Sequence, residues 1–286
     1  MKLFRNFILL FVTILVFEFT FVKNADAAEC AKNGDVFNFI TEDCEAQPDG
    51  YEVVVYKLYL CTSSPAIPTT TSVVDLVGGG CIQIFDNPSG ATAAVTQGSE
   101  LDLTGTYTRP PNNTYTHGYA VMDNTFGITA SIEIEDVMNG QTGGRGVFCG
   151  TVAGSGTTNT KSMPNNTSVC SSSPVTAGKF VETLADFPND GGGFGATAQV
   201  ENINGTTAAI MGILVNVSGQ LATTDADVDK LEGLVTFADP VTFTDSVTEV
   251  TMSFNVGEGM SLYVNGLNVG MGSGTHRGIS WIARTI

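Results

Sequence analysis

Apolar residues along this chain come in short runs between turn residues, and in the cleanest run they fall at every second position. Over Gly127–Glu135, Ile128, Ala130, Ile132 and Ile134 alternate with Thr129, Ser131, Glu133 and Glu135. A period of two puts one face in a core and the other in water, so the segment is predicted to be a strand. Val250, Met252, Phe254 and Val256 alternate in the same way with Thr251, Ser253 and Asn255. Tyr51–Leu60 follows the turn signal Pro48-Asp49-Gly50 and is apolar on both faces, which predicts a central strand. Cys81–Phe85 follows Gly78-Gly79-Gly80 and reads as another. Leu262–Val264 and Leu267–Val269 flank Asn265-Gly266, the strongest short signal for a two-residue hairpin turn. Ser280–Ile286 is predicted to be a terminal strand.

Two stretches are less decided. Val235–Asp239 and Val241–Asp245 repeat each other at a short offset. A hexapeptide β-helix needs more than two copies, so two short strands joined at Pro240 are expected. Ala208–Val217 is apolar throughout and fits a buried strand or a short helix.

Helix formers are scarce and β-branched residues common, so the predicted class is all-β. The architecture expected is an antiparallel β-sandwich with long Gly/Ser/Thr/Asn-rich loops. The densest loop composition lies over Gly140–Gly195, with short strands such as Gly146–Val152 inside it. We read residues 28–286 as one sandwich interrupted by this insertion. The alternative is two small β domains, 28–139 and 196–286.

The first 27 residues read differently. Lys2 and Arg5 precede an apolar run from Phe7 to Val22, and Ala25-Asp26-Ala27 supplies small residues for cleavage. This is the pattern of a secretory signal peptide. It predicts a protein that is secreted, extracellular, on the cell surface or periplasmic, with no transmembrane span in the mature chain. Six cysteines follow: Cys30, Cys44, Cys61, Cys81, Cys149 and Cys170. An even count in an exported chain predicts disulfides, and nearest-neighbour pairing is the expected pattern. No Cys-x-x-Cys occurs, which argues against zinc.

Charge narrows the partners. The whole chain carries a formal net charge of −17. Such a charge repels nucleic acid and anionic head groups. It also offers carboxylates to divalent cations. Asp225, Asp227 and Asp229 have the spacing of the first half of an EF-hand loop, but Lys230 and Thr236 break the second half. An irregular calcium site, with Glu232 as a further ligand, is one reading. An acidic first helical turn behind Thr224 as N-cap is the other.

Pro110-Pro111-Asn112-Asn113-Thr114-Tyr115-Thr116, with strand patterns on either side, resembles the Pro-x-Gly-x-Tyr-Thr hairpin of prealbumin-like and Cna-B-like β-sandwiches. The likeness spans roughly thirty residues, with Asn113 where Gly is usual. It implies a β-sandwich in a stalk or surface module of an exported bacterial protein. Isopeptide-forming members carry a Lys, an Asn and an acidic residue in the core, and the few lysines here do not place that triad.

Signals for catalysis are sparse. His117 and His276 are the only histidines, and neither a Gly-x-Ser-x-Gly elbow nor a His-Glu-x-x-His pair occurs. If Thr114–Val121 is extended, Tyr115, His117 and Tyr119 share one face. Such a face could stack on sugar rings, or it could pack as core. The expected function is therefore a cell-surface or extracellular structural or adhesion-type protein. Its partners would be other extracellular proteins or further copies of itself. A carbohydrate-binding module on the Tyr115/His117/Tyr119 face is the first alternative, and a secreted hydrolase the second.

Overall fold

The computed structural model describes residues 28–38, 40, 43–95, 103–158, 168–187, 193–195, 199–203, 206–247, 250–257, 259–273 and 280–285. Residues 1–27, read above as a signal peptide, and His276 lie outside the described residues. In chain order the strands are β1 (Ala28–Glu29), β2 (Lys32–Asn33), β3 (Val36–Phe37), β4 (Cys44–Ala46), β5 (Gly50–Cys61), β6 (Cys81–Val95) and β7 (Thr106–Tyr107). Then come β8 (Thr114–Thr129), β9 (Ser131–Gly140), β10 (Gly143–Thr151), β11 (Gly154–Thr158), β12 (Ser168–Ser171) and β13 (Phe180–Leu184). The last are β14 (Gln199–Ile203), β15 (Thr206–Val215), β16 (Lys230–Thr242), β17 (Val250–Asn255), β18 (Met260–Asn265), β19 (Asn268–Ser273) and β20 (Ser280–Thr285).

They form two nine-stranded sheets and a small β17–β20 pair. The first sheet runs β1-β4-β18-β19-β9-β10-β12, with β3 beside β9 and β2 beside β3. The second runs β14-β15-β16-β8-β5-β6-β7, with β13 beside β8 and β11 beside β13. Their inner faces share one core. Ile132, Ile134, Met138, Leu262 and Met271 come from the first sheet, and Val53, Leu58, Phe85, Met122, Ile128 and Val235 from the second. The protein is thus an all-β sandwich, as its alternating runs predict. Pairing is mostly antiparallel, but β1–β4, β3–β9, β11–β13 and β9–β19 are parallel. The first sheet takes strands from both ends of the chain, and the second is built from the segments between.

The cleanest alternating run proves to be a corner. Ile128, Ala130, Ile132 and Ile134 all point inward, yet the chain leaves the second sheet after Thr129 and joins the first at Ser131. The Thr151 hydroxyl, 3.1 Å from the Ala130 amide, satisfies the backbone where the ladder breaks.

Three other expectations change. Val235–Asp239 and the first two residues of Val241–Asp245 belong to one strand, β16, whose register against β8 shifts between Thr236 and Val241. Pro240 falls inside that bulge, where no ladder donor is required. The β18–β19 turn is Gly266-Leu267 with Asn265 opposite Asn268, and Gly266 takes φ 64°. Glycine is therefore the first central residue of the turn, one place earlier than the Asn265-Gly266 reading put it. The stretch read as an insertion supplies β10, β11, β12 and β13 to the two sheets. Ala208–Val217 resolves as strand as far as Val215, within β15.

Cys30 is bonded to Cys44, Cys61 to Cys81 and Cys149 to Cys170. The last two pairs sit directly opposite each other across β5–β6 and β10–β12. Three bridges are the mark of an oxidising compartment. Among the described residues no helix is long and apolar enough to cross a membrane.

Candidate functional site

Cys61 and Cys81 close a flap, residues 62–80, over the outer face of the second sheet. The flap is a small hairpin: Ala66 bridges to Asp75, and Thr69 to Ser72. Its base is tied by the Ser63 amide on the Gly79 carbonyl, and its tip by the Leu221 amide on the Thr69 carbonyl. Val74 and Leu76 reach down from it onto Tyr59, Tyr119 and Leu234. These belong to a second apolar cluster, on the opposite side of the sheet from the main core. The flap explains why β5 is apolar on both faces. Leu58 and Leu60 face the core, while Tyr59 and Cys61 face the flap.

A carboxyl is buried beside this cluster. Glu232 is only 6% exposed, and Tyr119 donates its hydroxyl to the Glu232 carboxylate in a short hydrogen bond. Burial pushes Glu232 from its ordinary 4.5 up to about 7, and the Tyr119 hydroxyl works against that shift. Tyr119 is pushed far above its usual range, first by burial and then by Glu232. Tyr59 is raised by burial and by Asp86 and Glu232. The folded state therefore favours the protonated acid. Stability from this group is fully present below about pH 4.5 and is lost as pH rises through about 7. The wild type should lose about 3 kcal/mol between pH 5 and pH 8, and Glu232→Gln should flatten that slope in urea titrations. An unchanged slope would mean that the carboxyl is solvated in the fold.

The aromatic face inferred from the sequence does not form. Tyr115 is 1% exposed and Tyr119 0%, so neither ring is open to a sugar. They do not even share a cluster. Tyr115 packs in the main core, edge-on to Phe243, while Tyr119 lies beneath the flap. The register shift where β8 meets Thr236 and Val241 breaks the period of two, and a one-residue slip exchanges faces. His117 is half-buried, with Nδ1 2.8 Å from the Thr116 hydroxyl, and burial lowers its pKa.

Tyr115 instead forms a corner. Its hydroxyl donates to the Pro111 carbonyl at 2.9 Å, four residues upstream, the bond of the tyrosine corner in β-sandwiches. Tyr107 makes the same bond to Leu103. Arg109 donates to Asn112 at 2.9 Å and to the Thr244 carbonyl at 2.8 Å. The turn that carries the family resemblance is thus latched to the end of β16.

Nor are the three aspartates brought together as ligands. Thr224 is the N-cap of a 3-10 turn over Asp225–Asp227. Asp227 accepts the Thr224 amide at 2.7 Å and the Thr224 hydroxyl at 2.9 Å. Desolvation raises the Asp227 carboxyl, but donations from Thr224 and Thr223 outweigh it and hold the group below the usual range. Asp229 stands 3.4 Å from Lys230. This is the capped acidic turn, and among the described residues no group of three or more His, Cys, Asp and Glu side chains could hold a metal ion.

The flap has a second property. Val73, Val77 and Ile67 are exposed on it, and Val217 is exposed on the turn docked against it. Val77 is 92% and Val217 84% open to solvent. Sequence reasoning passed over this segment because Thr, Pro and Gly dominate it and its valines show no strand or helix period. Its spacing between two cysteines was the one available signal.

No protein-family model matches this chain, and no curated protein or solved structure matches it either.

Proposed function

We propose that this is an exported protein of the cell surface or extracellular space that acts by contact with other proteins or surfaces, without a catalytic step. The observation that carries the reading is the rigid flap with apolar side chains turned outward. Several apolar side chains exposed on one projecting element mark a candidate interaction site. Here they stand on a hairpin held by a disulfide and by backbone bonds at base and tip, so little freedom is lost on contact. The three disulfides and the N-terminal signal pattern support the compartment.

The test is fractionation of the tagged native protein in its own cells, with electron microscopy of the extracellular fraction. Wild type should be held at the surface or in an assembled form. Val77→Asp combined with Val217→Asp should shift it to the soluble fraction. Soluble, unassembled wild type would overturn the reading.

A further inference from the structure

Glu232 and the 62–80 hairpin meet through one cluster. On the outer face of the second sheet, Glu232 has Val121 opposite it on β8, Ile213 opposite it on β15 and Leu234 two places on along β16. Val121 and Leu234 belong with Tyr59, Cys61 and Tyr119 to the cluster on which Val74 and Leu76 of the hairpin pack. Tyr119, wholly buried there, donates its hydroxyl to the Glu232 carboxylate. Behind this cluster lie the sheet and the main core. In front of it lies the hairpin, which is lightly held. The Cys61–Cys81 bridge and the Ser63 amide on the Gly79 carbonyl fix its base, and the Leu221 amide on the Thr69 carbonyl, at 3.0 Å, ties its tip.

We infer that the 62–80 hairpin is a cover gated by Glu232: it stays seated on the Tyr59–Tyr119 cluster while the carboxyl is protonated, and lifts about the Cys61–Cys81 bridge as the carboxyl ionises. A carboxylate needs a countercharge or water. The lysines on this face have other carboxylates beside them. Lys57, opposite Val121 on β5, has Asp86 opposite it on β6. Lys230 lies 3.4 Å from Asp229 and 4.8 Å from the centre of the Tyr56 ring, whose hydroxyl donates to Asp123. Tyr59 and Tyr119 are held neutral, and β15 brings Ile213 and Met211. The one charged side chain of the hairpin is Asp75, and the turn docked on its tip leads to Asp225, Asp227 and Asp229, all anionic. Water is what remains, and lifting one hairpin costs less than unfolding the sandwich. His117, two residues before Tyr119 on β8, is lowered by burial, so its charging loosens this face as pH falls, the opposite sense.

Burial holds Glu232 at about 7 in the closed form, against an ordinary 4.5 once water reaches it. Opening is therefore at its lowest below about pH 4.5, grows by up to about tenfold per pH unit between the two values, and levels off above about 7. The experiment is hydrogen exchange on the secreted, disulfide-intact protein from pH 5 to pH 9, with rates corrected for intrinsic exchange and repeated in low urea. The Asp75 and Leu221 amides, bonded to the Ala66 and Thr69 carbonyls, read the hairpin. The Asn139 and Gln141 amides, bonded to the Leu267 and Val269 carbonyls, read the first sheet. In wild type the hairpin amides should open more often by up to about a hundredfold between pH 5 and pH 8, with little response to urea. The first-sheet amides should stay far better protected and respond steeply to urea. Glu232→Gln should remove the rise, and His117→Gln should leave it. Tyr119→Phe keeps the ring but removes the hydroxyl that holds the acid down, so its rise should level off at higher pH than in wild type. Hairpin amides with constant protection in wild type overturn the inference. So does a rise that persists in Glu232→Gln, or a loss of protection shared equally by hairpin and first sheet with one urea dependence. Should Glu232→Gln fail to fold, Tyr119→Phe decides, and an unmoved plateau overturns the gate.

Discussion

Truncating Tyr115 or Tyr119 to alanine is expected to cost about 3–5 kcal/mol each, the range for large aromatic side chains lost from a core. The two changes should nearly add, because the rings lie in separate clusters on opposite sides of the sheet. Together they approach the whole stability of an ordinary domain. Their causes differ. Tyr115→Ala empties a site against Phe243 and removes the bond to Pro111 that fixes the start of β8. Tyr119→Ala opens the cluster under the flap and takes away the hydroxyl that Glu232 accepts. Chemical denaturation at matched m-values measures both. A loss below about 1 kcal/mol for either would mean that its ring is solvated in the folded protein.

Reduction of the three disulfides is the second large effect. The bridged cysteines are 14, 20 and 21 residues apart, and loop entropy assigns about 3 kcal/mol to each closure. The reduced, alkylated protein should be unfolded, or should melt far below the oxidised form. Single pair removals should separate the roles. Without Cys149–Cys170 the end of the first sheet should loosen. Without Cys61–Cys81 the flap should free itself, and amides such as Asp75 and Leu221 should lose hydrogen-exchange protection before the sheets do. Equal protection of those amides in the Cys61→Ser, Cys81→Ser variant would show that the docked turn holds the flap by itself.

Fold class was legible because most core strands obey a period of two. Ile128–Ile134 and Tyr51–Leu60 announce themselves, and cysteines that are neighbours in sequence proved to be partners. What escaped was set by contacts between distant segments. β10 is legible as the short strand Gly146–Val152, but its place in a sheet is not, because Gly143, Gly144 and Gly146 carry no apolar signal. The structure shows why glycine stands there: a Cβ at Gly146 would meet the Ser171 carbonyl oxygen at 1.8 Å, so the approach of β12 requires glycine. Parity through Tyr115 and Tyr119 was misjudged because the register shift lies across the ladder in β16, around Pro240, and leaves no mark in β8 itself. Glu232, between Leu231 and Gly233, occupies an outward position that would be wet on a bare sheet. Its burial comes from long-range packing around Tyr119, and no local pattern records that.

The sharing of the first sheet between the two ends of the chain bears on how the protein is made. β4 lies beside β18, with Cys44 opposite Leu262, and β9 lies beside β19. A ribosome that has delivered the chain through β17 has delivered a sandwich with one sheet still open at its centre. Closure must wait for β18 and β19, and such long-range pairing is slow. Until then the apolar inner faces stay uncovered and the early cysteines stay accessible. A chain built in this order keeps its first sheet unpaired at the centre for most of its synthesis, so the last strands to be made are the ones that lock the sandwich.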